Sequence, residues 1–256
     1  MHTASPALGA PALPPVLQRN ILAFARLIEP KRCIGHQKIR VGRDFDGGYI
    51  LIDDFSNVDG AFSFGIENDA SWDLGMAQRG VPVHQFDHTI ESPPAAHPLI
   101  TFHKLRVAAE DTPDSRTLDT LVAHFLPSAQ KAVLKMDIER DEWPVFAAAS
   151  VETLGRFSQI VCEFHGFHLL SEPSRYDYAL TVISKLKMLF EVVHVHGNNA
   201  HPMVNVSDVM LPRILEVSLA SRRHYQFEET SEIFPTPLDQ PNLPERPDLQ
   251  LGCFKF

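Results

Sequence analysis

Residues 60–87 read GAFSFGIENDASWDLGMAQRGVPVHQFD, and this stretch decides the fold class. The run Ala61–Ile66 is continuously apolar or small and reads as a buried strand. Ala70–Arg79 has helical spacing of apolar side chains, and Val81–Phe86 is a second strand. Asp87 closes the unit about 20 residues after the first loop, where a carboxylate in a nucleotide-binding βαβ unit can accept from ribose hydroxyls. Gly65 lets backbone approach a ligand closely, and Asn68 or Asp69 is placed to cap the helix. The loop is not GxGxxG, so it does not by itself favour a pyrophosphate.

Outward from this unit the same rhythm continues. Strands are expected at Leu99–Val107, Ala132–Ile138, Gln159–Phe164, Phe190–Val195 and Ile214–Leu219. Helices are expected at Thr117–Phe125, Glu142–Ala149 and Tyr176–Leu189. Strands alternating with helices imply parallel βαβ units with right-handed crossovers. Upstream, Val16–Ile28 has helical spacing, and Lys38–Val41 and Tyr49–Ile52 flank Asp46-Gly47-Gly48, a hairpin signal. The division expected is a flexible Ala/Pro arm at 1–15, a helix and hairpin extension at 16–58, a core at 59–225, and a Pro-rich tail at 226–256 packed on the core. Within that tail FPTPLDQPNLPERPDLQL carries five prolines and excludes a central strand or long helix.

Bulk properties narrow the partners. The 256 residues are 44% hydrophobic and 21% charged, as in an ordinary globular chain. A net charge of −9, with no Lys/Arg cluster, argues against nucleic acid and an anionic membrane surface. Three scattered cysteines form no zinc pattern. With no secretory leader or membrane-length apolar run, the expectation is a cytoplasmic protein acting on a small-molecule acceptor, with a homodimer left open.

Candidate chemistry collects at strand ends. In AVLKMDIERDEW (residues 132–143) a strand delivers Asp137 to the carboxyl edge of the sheet, while Glu139, Asp141 and Glu142 suit a solvated helix N-terminus. Thirteen histidines is a high count. Glu163 and His165 alternate and so share a side of their strand, as do His194 and His196. Two readings follow. Asp137, His165 or His196 acts as general base on an acceptor hydroxyl, or Asp137, Glu163 and His165 hold a divalent metal such as Mg²⁺, Mn²⁺ or Fe²⁺. In the hairpin, Arg43, Asp46 and Tyr49 are placed to close over a ligand, and Trp72 either packs its helix or faces one.

The segment LKMDIERDEWPVF resembles the FkbM-type methyltransferases, a class I S-adenosylmethionine-dependent family, in Lys135, Asp137, Glu139, Glu142 and Trp143. Arg140 stands where that family has Gly. The runs GRDFDGGY, FSFGIENDASWDLGMAQRG, FDHT, EFHG and HVHGNN extend the resemblance over residues 36–220. It implies a Rossmann-like fold: a mostly parallel seven-stranded sheet with helices on both faces. It also implies S-adenosylmethionine held by Phe64, Gly65, Glu67, Asn68, Asp69, Asp87 and His88, with Asp137 near the transferred methyl group and O-methylation as the default. The alternatives are a metal-dependent hydrolase or oxygenase using the His/carboxylate cleft, or a non-catalytic nucleotide-binding module.

Overall fold

The computed structural model describes residues 16–256, so the arm expected at 1–15 lies outside the described residues. The elements run α1 (Val16–Leu27), β1 (Lys31–Cys33), β2 (Lys38–Val41), β3 (Tyr49–Ile52), β4 (Gly60–Phe64), α2 (Ser71–Gln78), β5 (Val83–Phe86), β6 (Ile100–His103), β7 (Arg106–Val107), β8 (Ser115–Arg116) and α3 (Leu118–Phe125). They continue with β9 (Ala132–Met136), α4 (Glu142–Ala148), α5 (Val151–Leu154), β10 (Phe157–His165), α6 (Pro173–Leu189), β11 (Phe190–Gly197), β12 (Met203–Val206), β13 (Val209–Pro212), β14 (Ile214–Ser221) and β15 (Phe227–Glu229).

Seven strands form the main sheet in the order β11-β14-β10-β9-β4-β5-β6. All neighbours are parallel except β14, which runs antiparallel to β10 and β11. Between β11 and β14 the chain makes only the β12–β13 hairpin. Without a crossover helix the returning strand pairs antiparallel. From β4 the chain winds outward through β5 to β6, then returns to β9 on the other side of β4. The order therefore reverses between β4 and β9, which is where open α/β sheets bind ligands.

Period-two alternation sorts each strand between two cores. Phe62 and Phe64 of β4, Leu134 and Met136 of β9, and Cys162 and Phe164 of β10 join α1, α3, α4, α5 and α6 in the large core. Ala61, Val133 and Val161 face the other way, toward Trp72 and Met76 of α2 and Val41, Tyr49 and Leu51 of the β2–β3 hairpin. Towards the carboxyl ends this second face turns polar, with Ser63, Gln85, Lys135, Glu163 and Glu216 all buried. The hairpin docks on that face by satisfying its polar groups. Gln159 accepts from the Ile52 amide at 2.7 Å and donates to its carbonyl at 3.1 Å, and Ser218 donates to the Ile50 carbonyl at 2.5 Å.

One expected strand changes, and two pairings appear that the sequence reading did not place. The strand expected over Leu99–Val107 breaks after His103. Its partner β5 ends at Phe86, so Arg106–Val107 pairs instead with Ser115–Arg116. Met203–Pro212 is a hairpin whose turn residues Ser207 and Asp208 both hold positive φ (51° and 65°). Such turns usually advertise themselves with Asn-Gly or Gly-Gly, and this one does not. Lys31–Cys33 pairs with Phe227–Glu229, a contact between distant short segments that no local pattern signals.

Candidate functional site

A cavity of about 250 Å³ opens at the switch point between β4 and β9. That volume lies just below the roughly 300 Å³ at which small-molecule pockets usually begin. Its floor is the loop after β4. Gly65 has φ +76°, and a Cβ there would lie 1.7 Å from the Asp137 carbonyl oxygen. Only glycine lets the ends of β4 and β9 come this close. The Asp137 amide donates to Phe64 O (3.1 Å), the Gly65 amide to Phe86 O (3.2 Å), and the buried Lys135 ammonium to Gly65 O (2.7 Å). Lys135 also lies over the Tyr49 ring, 5.5 Å from its centroid.

Asp87 ends β5 and holds the loop. Its Oδ2 accepts from the Ile66 and Glu67 amides (2.8 and 2.9 Å), and its Oδ1 from the Thr89 amide and hydroxyl (2.7 and 2.6 Å). Burial alone would raise its pKa, but these donors outweigh burial and hold the carboxyl below its ordinary value. Asp69 accepts from the Ser71 amide and hydroxyl, both at 2.9 Å, so the start of α2 is tied from the loop side. The hairpin supplies the roof. Arg43 approaches Asp69 Oδ2 at 3.3 Å, and Gly47 packs so closely that a Cβ would sit 1.9 Å from that same oxygen.

At the back, Tyr49 donates from its hydroxyl to Asp137 Oδ2 at 3.0 Å. Burial raises the Asp137 carboxyl to about 6; Lys135 and His165 pull it down and Glu142 pushes it up. Glu163 is raised well above its ordinary value, by burial first and then by the facing carboxylates of Asp137, Glu216 and Asp46. Behind Asp137 the turn into α4 holds Glu139 and Arg140 at φ 55° and 85°. The Arg140 position thus holds the left-handed conformation that glycine adopts freely, and two non-glycine residues here carry strain of the kind concentrated at functional sites. Glu142 organises that turn. Its Oε1 accepts from the Ile138 amide (3.0 Å), the Arg140 amide (3.2 Å) and His165 Nδ1 (3.1 Å). Trp143 Nε1 donates to the His165 carbonyl at 2.7 Å.

Of the residues expected to bind a cofactor, Gly65, Glu67, Asn68, Asp69, Asp87 and His88 line the cavity. Phe64 does not; its ring is fully buried on the opposite face, 5.4 Å from the Phe86 ring, and only its carbonyl serves the site. Asp137 lines the cavity, as do Arg43, Asp46, Tyr49 and Trp72. Glu163 and His165 stand behind Asp137. His196 lies further along the sheet, hydrogen-bonded to Glu216 (3.1 Å) and to Asp248 of the tail (3.0 Å). Burial lowers its pKa, but these carboxylates overcome burial and raise it to about 10, so it is held as imidazolium. His194 contacts Asp239 of the tail at 2.7 Å. Among the described residues, the group that brings three ligand-type atoms within 4.8 Å of one another is Asp137, Glu142 and His165. Glu163, expected in that role, instead accepts from Asn198 at 3.2 Å. Sequence reasoning missed Glu142 as a buried group because an acid at a helix start reads as solvated. Arg106 and Val107 reach the cavity because β6 ends early, which no motif announces.

Fold and site together define a Rossmann-like α/β domain with a ligand cavity at its switch point. No family model and no curated protein matches the chain. A solved structure of a candidate methyltransferase from an antibiotic biosynthesis pathway of Anabaena variabilis ATCC 29413 is similar at 11% identity and a TM-score of 0.31, over 59% of this chain and 62% of that one. The chain thus spans less than two thirds of that protein. No helix among the described residues is long and apolar enough to cross a membrane.

Proposed function

We propose that this protein is an S-adenosylmethionine-dependent methyltransferase acting on a hydroxyl of a small molecule. The observation that carries the reading is the charge of the switch-point cavity: seven carboxylates line it against Arg43, Arg106 and Lys135. Arg43 and Arg106 are themselves engaged with Asp69 and Asp141. A site of this sign repels the pyrophosphate of a dinucleotide and attracts a cationic ligand. The family resemblance in the loop and in the Asp137 segment points the same way.

The residues fit the group. Gly65 lets the ends of β4 and β9 close up and so shapes the cavity floor, and Glu67, Asn68, Asp69, Asp87 and His88 would hold the nucleoside and amino-acid ends. Bound there, S-adenosylmethionine supplies an electrophilic methyl group on a sulfonium. The protein's own part is to orient the acceptor oxygen and remove its proton. Asp137 lines the cavity, and its carboxyl, raised to about 6, is ionised at neutral pH yet basic enough to accept that proton. Tyr49 fixes the rotamer of Asp137, and Lys135 braces the loop against β9. Because Asp87 already serves four protein donors, ribose binding at this carboxylate requires exchange of the Thr89 contacts.

Calorimetry with S-adenosylmethionine and S-adenosylhomocysteine tests the reading. Saturable binding of either is expected, with at least a tenfold loss in Asp87→Ala. Absence of heat with both ligands sinks it.

A further inference from the structure

Glu142 presents a problem that the hydrogen bonds around it do not solve. The residue is fully buried. Its Oε1 takes three donors, while its Oε2 is buried with no partner. A protonated His165 does not relieve this, because its Nδ1 donates to Oε1; as a neutral ring with its proton on Nε2, toward Glu163 (3.4 Å) and Glu139 (3.5 Å), it instead offers the Nδ1 lone pair to a cation. A buried carboxylate oxygen without a donor calls for a positive centre.

The surroundings are built to hold one. Asp137, Glu142 and His165 bring ligand-type atoms within 4.8 Å of one another. Two donors on one small divalent ion, each bonded at about 2.1 Å, lie at most about 4.2 Å apart. Three donors cannot all lie opposite one another, so most pairs must come to about 3–3.6 Å, and side-chain rotations that move ligand atoms by about an ångström close the site. Each ligand is also fixed from behind, as metal ligands require: Asp137 by the Tyr49 hydroxyl, Glu142 by the Ile138 and Arg140 amides, and the His165 backbone by the Trp143 indole.

We propose that Asp137, Glu142 and His165 form a binding site for one divalent cation of the Mn²⁺ type. Two carboxylates and one imidazole are harder than a zinc thiolate site and softer than an all-oxygen magnesium site. Asp137 lines the cavity whereas Glu142 and His165 do not, so the open side of the ion faces the cavity. A cation held there would polarise an acceptor hydroxyl and lower its pKa, the proton passing to solvent while Asp137 serves as ligand rather than base. That role rests on the methyltransferase reading; the binding of the ion does not.

The test is a Mn²⁺ titration of chelator-stripped full chain, read by electron paramagnetic resonance of free and bound ion. One equivalent should bind, with ¹⁴N modulation from a coordinated imidazole. Glu142→Gln and His165→Gln should each weaken binding about 100-fold, and His165→Gln should abolish the nitrogen modulation while the circular dichroism spectrum stays native. If Glu142→Gln fails to fold, Asp137→Asn gives the same affinity readout. The proposal is overturned by a folded wild type that leaves Mn²⁺ free, by nitrogen modulation that survives His165→Gln, or by binding lost in Glu163→Gln but kept in Glu142→Gln. Calorimetry with S-adenosylmethionine on the same sample separates the two ideas. Bound Mn²⁺ without cofactor heat sinks the methyltransferase reading alone, and cofactor heat without bound Mn²⁺ sinks the metal site alone.

Discussion

Replacing Gly65 by Ala perturbs the site at its narrowest point. The new Cβ would lie 1.7 Å from the Asp137 carbonyl oxygen, where real contacts do not fall below 3.0 Å, so the ends of β4 and β9 must part by about 1.3 Å. Both partners are backbone, so no side chain can swing away. Two hydrogen bonds cross this junction: Asp137 N to Phe64 O, and Lys135 Nζ to Gly65 O. At about 1 kcal/mol each their loss is worth about 2 kcal/mol. Holding Ala at φ +76° adds about 1 kcal/mol. The total of about 3 kcal/mol corresponds to a fall in Tm on the order of 10 °C for a chain this size. The site suffers more than the fold, because a displacement of about 1 Å at a reacting group costs about 100-fold in rate. Differential scanning calorimetry and cofactor titration of the variant give both numbers. A Gly65→Ala protein that melts within about 2 °C of wild type and binds S-adenosylmethionine equally well would refute the close-approach argument.

Other consequences follow from the charges. Asp137 is protonated more readily folded, at about 6, than its ordinary 3.8, so its ionisation costs stability as pH rises from 3.8 through 6. Asp137→Asn should therefore raise stability at pH 7 by up to about 3 kcal/mol, less because the residue is partly exposed, and by little at pH 3.8. Denaturant melts at the two pH values check this, and equal effects at both would contradict it. Carbon-13 spectra of aspartate-labelled protein should show one carboxyl titrating near 6 that moves higher in Tyr49→Phe, as loss of a donor to the charged form requires. His196 is raised from 6.5 to about 10, so its ion pairs with Glu216 and Asp248 stabilise fully below pH 6.5 and progressively less as pH climbs through 10. The stability difference between wild type and His196→Gln should shrink over that window; a constant difference argues for packing instead. Asp87 has a lowered pKa, so its contribution is present above the ordinary 3.8 and vanishes as pH falls. Asp87→Asn should cost about 1–3 kcal/mol at pH 7 and progressively less as pH falls below 3.8, measured by chemical denaturation.

Much of this protein is legible in the chain. Period-two and helical spacing place most of the main strands and helices, because burial of one face against the next layer writes itself into residue order. Gly65, Asp87 and Asp137 are visible as strand ends for the same reason: in parallel units every strand delivers its carboxyl end to one edge. Tertiary structure decided what spacing cannot encode. Glu142 and a solvated helix-start acid look identical in sequence, yet the closeness of β9 and β10 buries Glu142 beside His165. His165 and His196 both sit near strand ends with another acid or histidine two residues away, yet one stands behind the cavity and the other is clasped by Asp248, 52 residues on. Local pattern reports which way a side chain points; only the packing of distant segments determines what it meets there.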